Sequence, residues 1–236
     1  MRRILLLWPT IRPLVMLKTY QHWIDNSSGK YAIDIRIAVN TADQRNVLEK
    51  FKDVLIVGES RKGPAWASHC MTKELQCQDN PILVLVSDDF FAPSSWDDWL
   101  VKVFENYDGA ILVDDSFHTS NCITIPIMTY NCLIQLNRII YHPAYLWQCS
   151  DVELYDNLAA LGLVREMKSK NDLVFTHRHY ANSYRERDEH DLYANSMLQV
   201  DTETYQSRKK LPVSERLKWL PVYPEVYPST GHSPGA

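Results

Sequence analysis

The run Ile82 to Val86, ILVLV, is fenced by Asn80-Pro81 before it and opens onto Ser87, Asp88, Asp89 and then Ala92-Pro93. A short unbroken run of β-branched residues and leucine fits a strand buried on both faces, the pattern of an interior strand in a parallel sheet. Such a sheet needs helices on both sides and leaves its carboxyl edge as the accessible one. Two adjacent carboxylates at that edge repel each other and require a cation, strong donors or water. In open α/β sheets ligands bind at the carboxyl ends of the strands. One aspartate ending a turn and the other solvated would account for the same residues.

The remaining periodicities agree with that sheet. Strands are expected at residues 3–8, 33–40, 54–57, 82–87 and 110–113, with helices between them at 14–25, 42–51, 65–76 and 95–106. This alternation favours an α/β fold with a mostly parallel central sheet flanked by helices. After residue 113 the pattern loosens into short strand and loop signals. Helical periodicity returns at 152–161 and 189–205, and residues 216–236 form a proline-rich stretch expected to be extended.

Composition excludes several classes. With 45% hydrophobic residues, 23% charged residues and a net charge of −4, the chain has no basic excess to hold a nucleic acid. Five cysteines without a C-x-x-C pair argue against a disulfide framework or a zinc site and for a reducing, cytoplasmic setting. The apolar stretch after Arg2-Arg3 is too short for an export signal or a transmembrane segment. No G-x-G-x-x-G, P-loop or G-x-S-x-G motif is present, which removes most support for dehydrogenase, P-loop kinase and α/β-hydrolase readings.

Other residues gather at the same sheet edge. "WPTIRP" follows the first strand and supplies Pro9, Thr10 and Arg12, a rigid turn with a hydroxyl and a cation. "VNTAD" brings Asn40, with Thr41 or Asp43 as the cap of the next helix. Arg61 and Lys62 precede a helix start, where a diphosphate would find both cations and the helix's positive end, although a solvated loop explains them equally. "FTHRHY" holds His177 and His179 two apart, on one face if extended, and oxygen ligands with an imidazole suit Mn2+ or Mg2+. "CSDVEL" opens a helix with Ser150 and Asp151. One of them would cap it, or Asp151 would face a cleft as a general base.

Taken in order, PTIRP, KGPAWASHC, SDD, SDVEL and FTHRHY resemble the GT-A glycosyltransferases, particularly family 2-like enzymes and the small ones encoded by large DNA viruses and bacteria. The similarity covers roughly residues 3–210. It implies a Rossmann-like GT-A domain over residues 1–215, with a nucleotide-sugar-binding half at 1–115 and a less regular half at 116–215 that carries the acceptor side and completes the metal site.

The resemblance also implies roles. Pro9, Thr10, Arg12, Asn40, Arg61, Lys62 and Asp88 would bind the nucleotide sugar. Asp89 with His177 or His179 would hold Mn2+ or Mg2+, and Asp151 would be the catalytic base with Glu153 as its substitute. Ser87 departs from the family's usual aspartate-x-aspartate. The implied reaction is inverting transfer from a nucleotide-diphosphate sugar, a UDP-sugar, to a glycan or glycoprotein acceptor. A sugar nucleotidyltransferase would carry a glycine-rich loop directly after the first strand, where this chain has no glycine. A non-catalytic nucleotide- or glycan-binding module is the third reading. Trp66, Trp96, Trp99, Tyr145 and Trp147 are the rings available to pack against sugar, and most are expected in the core.

Overall fold

The structure is a computed structural model that describes residues 2–58, 63–118, 121–167, 173–179, 181 and 186–219. Arg61 and Lys62 fall outside the described residues. Strands β1 (Ile4–Pro9), β2 (Ile33–Val39), β3 (Val54–Ile56) and β4 (Ile82–Leu85) run parallel, with β1 between β2 and β4. β5 (Phe90–Phe91) leaves this sheet, while β6 (Ala110–Leu112), β7 (Ile127–Thr129) and β8 (Val164–Glu166) complete it in the order β3-β2-β1-β4-β7-β6-β8. Only β7 is antiparallel to its neighbours β4 and β6. The second half of the chain therefore supplies two strands to the sheet that the first half begins. A sequence reading cannot place them: three-residue strands have too little periodicity to stand out, and their partners lie far off in the chain.

Alternate residues of β1 feed two cores. Ile4, Leu6 and Trp8 face helices α1 (Pro13–Asp25) and α4 (Trp96–Phe104), packing with Met16, Trp23, Trp96 and Phe104. Leu5 and Leu7 face the other side, with Met71 from α3 (Gly63–Thr72), Cys132 and Leu133 from α5 (Tyr130–Gln135), and Leu154 and Leu158 from α6 (Ser150–Ala160). Trp23 lies edge-on to Trp96, the ring centroids 4.9 Å apart. Its indole N–H donates to the Phe90 carbonyl at 2.8 Å, so the apolar body is buried without stranding the polar tip. Among the described residues no disulfide links any of the five cysteines.

Two helices differ from expectation for reasons of burial. α2 (Ala42–Val47) starts with a capping box between Thr41 and Gln44 but ends before residue 51, because the chain turns inward to bury Leu48 completely. The long helix expected at 189–205 is two, α7 (Glu189–Ser196) and α8 (Leu198–Arg208), separated at Met197. α8 turns Asp201 and Arg208 into the body. The short helix α9 (Val213–Arg216) follows, and Leu217 packs into the second core.

α8 is fastened by two buried polar groups. Arg208 forms a bidentate pair with Glu153, its Nη2 2.7 Å from Oε1, and Tyr145 donates to the same carboxylate at 2.7 Å. Asp201 accepts the backbone N–H groups of Leu146, Trp147 and Gln148 at 2.7–2.9 Å. These bonds fix the 146–148 loop against Gly63, where an added Cβ would sit 1.5 Å from the Leu146 carbonyl oxygen. Breaking a buried pair leaves one charge uncompensated. Arg208→Ala is expected to lower unfolding stability by about 3–5 kcal/mol, read as a shift of the urea midpoint at unchanged slope; a shift near zero would remove the pair from the account of how α8 is held.

Candidate active site

The order β3-β2-β1-β4 reverses direction between β1 and β4, so the carboxyl ends of these two strands open a crevice, the position at which open α/β sheets bind ligands. A cleft of about 420 Å3 lies there. Nine of the described candidates from the sequence line it: Pro9, Thr10, Arg12, Asn40, Asp88, Asp89, Asp151, His177 and His179.

Asp88 ties the two strands together. Its carboxylate, only 6% exposed, accepts the Trp8 indole N–H at 3.0 Å and the Thr10 hydroxyl at 2.9 Å, with the Arg12 guanidinium 3.5 Å away. The Thr19 hydroxyl of α1 donates to its main-chain carbonyl at 2.7 Å. Burial nevertheless outweighs these donors and raises the Asp88 pKa to about 6. Arg12 also reaches Asp188, the N-cap of α7, at 3.0 Å, so one guanidinium joins the strand ends to the helix carrying Asp191 and Asn195 on the cleft wall.

Asp89 is the more available acid. Ser87 donates to its Oδ1 at 2.5 Å, and His177 Nε2 lies 3.4 Å from Oδ2. Although burial pushes its pKa up, hydrogen bonding and charge from His177 hold it well below the usual carboxylate range. His177 arrives through β9 (Thr176–His177), which pairs antiparallel with β5 and stacks the imidazole on Phe90 at 4.2 Å. The strand ends there: the His179 N–H donates to the His177 carbonyl at 2.9 Å in a tight turn rather than continuing extended. The two rings still lie 5.1 Å apart and both line the cleft.

Asp151 lines the cleft from the first turn of α6, partly exposed and close enough to His118 and Asp115 to feel their charge. Its pKa is raised by burial, against a 3.0 Å bond from the Val152 N–H. Neither Ser150 nor Asp151 is the N-cap, a position held by Cys149 in a left-handed conformation. Glu153 cannot substitute for Asp151, since it is fully buried in the pair with Arg208 and does not line the cleft. Of the candidate rings, Trp147 lines the cleft, while Trp96 and Tyr145 are core residues.

The sequence reading missed a neighbouring cluster. Asp115, His118 and His177 each offer a ligand atom, all within 4.8 Å of one another. Asp115 follows β6 as the second member of another aspartate pair, Asp114-Asp115, and His118 comes three residues later. That D-x-x-H spacing at a second strand end was the available signal.

No protein-family model matches the chain, and no curated protein matches it. Solved structures do. It is similar to S. aureus TarS residues 1–349, with a TM-score of 0.54 and 13% identity over 74% of this chain. Glucosyl-3-phosphoglycerate synthase from Mycobacterium tuberculosis, in complex with Mn2+, UDP and glucosyl-3-phosphoglycerate, gives 0.56 and 13% over 89% of this chain and 81% of its own. The mannosyltransferase PcManGT from Pyrobaculum calidifontis, in complex with GDP-Man and Mn2+, gives 0.54 and 13% over 92% and 74%. The chain spans about 60% of the TarS segment. At these identities the likeness is one of fold: the chain has the GT-A architecture that the resemblance implied, a mostly parallel seven-stranded sheet flanked by helices.

The raised Asp88 pKa has a measurable consequence for stability. A carboxyl that binds its proton more tightly when folded contributes stability below the unfolded value of 3.8 and loses that contribution as pH rises through about 6. Between pH 4 and 7 the unfolding free energy of wild type relative to Asp88→Asn is therefore expected to fall by about 2 kcal/mol. Urea titrations of both proteins across that range measure it, and parallel pH profiles would contradict a buried, perturbed Asp88.

Proposed function

We propose that the chain is a glycosyltransferase that moves a sugar from a nucleoside-diphosphate donor, a UDP-sugar, to a hydroxyl of a glycan or glycoconjugate, with inversion at the anomeric carbon. The observation that carries this reading is the placement of Asp89 and His177, 3.4 Å apart, in a cleft at the β1/β4 switch point that Asp151 also lines. It is supported by fold likeness to glycosyltransferases whose structures hold UDP or GDP-Man with Mn2+.

Asp89 and His177 fit a divalent cation. Two ligands at about 2.1 Å and right angles on an octahedral ion lie about 3 Å apart, close to the spacing found, and an ionised carboxylate with an imidazole suits Mn2+. When bound, such a cation would neutralise the charge that develops on the departing diphosphate. The chain's own residues do the rest. Pro9, Thr10 and Asn40 line the part of the cleft where base and ribose would lie, and Arg12 offers its guanidinium to the phosphates. Asp88 orients Thr10 and Arg12 by holding them.

Asp151 would take the proton of the acceptor hydroxyl as that oxygen bonds to the anomeric carbon. The bond from that carbon to the diphosphate oxygen breaks on the opposite face, and the leaving group keeps the electron pair. A carboxylate with a raised pKa is suited to this role, since a base works best near the operating pH.

Calorimetry with UDP, GDP, dTDP and CMP, each with and without Mn2+, tests the donor assignment. Metal-dependent binding of UDP, lost in Asp89→Ala, is the expected result. Binding of none of them would sink the reading. Asp151→Asn should keep nucleotide affinity and lose transfer by about 10²–10⁴-fold, and unchanged turnover in that variant would remove Asp151 from the chemistry.

A further inference from the structure

Resting on that reading, we infer that the cation site of this cleft is wider than Asp89 and His177, and that His118, oriented by Asp115, is a second imidazole ligand. Asp115, His118 and His177 come together through one segment of chain. Residues 174–178 thread between two strand ends: Phe175 N–H donates to the Asp114 carbonyl at 2.9 Å, His177 N–H to the Asp115 carbonyl at 3.0 Å, and Arg178 N–H to the Asp89 carbonyl at 2.8 Å. His177 thus stands between both aspartate pairs, with the His118 ring roughly parallel to its own at 6.0 Å.

The chemistry of Asp115 selects the ligand nitrogen of His118. Asp115 is 1% exposed, and its Oδ1 accepts the N–H groups of Phe117 and His118 at 2.9 and 2.7 Å. Its Oδ2 accepts the Thr124 hydroxyl at 2.7 Å and lies 2.7 Å from His118 Nδ1. A carboxylate with so many donors acts as an acceptor, so Nδ1 carries the proton of that bond and Nε2 keeps its lone pair for a cation. A carboxylate behind a metal-bound histidine is the usual way to fix the ring and raise its basicity. A loop that needed only to be closed would be served by the backbone and Thr124 bonds alone. His118 lines the cleft together with His177.

The ligand set also predicts metal choice. Two imidazoles and a carboxylate favour Mn2+ over Mg2+, which prefers oxygen ligands and retained water. Wild-type protein should therefore keep Mn2+ in the presence of excess Mg2+.

The test uses the purified full chain and Mn2+ alone, without nucleotide. Continuous-wave EPR measures free Mn2+, and pulsed EPR counts imidazole nitrogens coupled to bound Mn2+. Wild type is expected to show two coupled imidazoles. His118→Ala should show one, with affinity weaker by about 10–100-fold and an unchanged far-UV spectrum. Asp115→Asn should weaken binding while retaining some coupling from His118. One coupled imidazole in wild type, no Mn2+ binding by wild type, or wild-type affinity in His118→Ala overturns the inference. If His118→Ala binds Mn2+ normally while Asp89→Ala does not, the inference falls and the donor-site reading survives. If two imidazoles are seen but no nucleoside diphosphate binds, the reverse holds.

Discussion

The buried carboxylate of Asp88 is the constraint on which the cleft depends. It is an acid placed where the sheet is driest, and it is tolerated because the Trp8 indole, the Thr10 hydroxyl and the Arg12 guanidinium converge on it. Those three groups come from the end of β1 and the turn beyond it, whereas Asp88 lies just past β4. The same interaction that satisfies the charge therefore stitches together the two strand ends between which the topology opens. Arg12 extends the stitching to α7 through Asp188, so the helix that walls the cleft is held by the group that holds its floor.

A second device gathers what the sheet alone leaves apart. Residues 174–178 lie across the ends of β6 and β4 as an added strip, bonded to Asp114, Asp115 and Asp89 through main-chain atoms. Since these are backbone bonds, the placement of His177 does not depend on which side chains surround it. Arg178 anchors the strip, its guanidinium 3.8 Å from the centre of the Phe91 ring. Ligand-type atoms from residues 88 positions apart, Asp89 and His177, come within 3.4 Å of each other. The lining residues Trp147 and Asp151 are set just as rigidly by Asp201 and Arg208, which pin the 146–148 loop and α6 without entering the cleft.

What could be read in the chain beforehand follows from the range of the interactions involved. The apolar run at Ile82 and its neighbours announced the parallel strands because each is a local pattern dictated by burial on both faces. Thr41 announced its cap because a capping box spans four residues. Asp89, Asp151 and His177 were legible as acids and an imidazole in marked local settings. β7 and β8 were not, because each takes its meaning from a partner far away in sequence. Glu153 shows the converse. Its place at a helix start resembled a base, but the deciding fact was Arg208, 55 residues later.

The charge of the cleft bears on how an anionic donor could bind at all. Its described lining includes four aspartates, Asp88, Asp89, Asp151 and Asp191, against Arg12 as the one permanently charged cation. Arg12 is already shared between Asp88 and Asp188. Left so, the wall would repel a diphosphate, since like charges at close range in a partly dry site raise the energy of both. A divalent cation would reverse that sign locally, and a ligand set with two imidazoles would leave more of its charge uncompensated than one built from carboxylates alone. On this reasoning a cation held by the histidines around Asp89 would give the site net positive character. Metal and nucleotide should then bind with positive coupling, each raising the affinity of the other by the same factor.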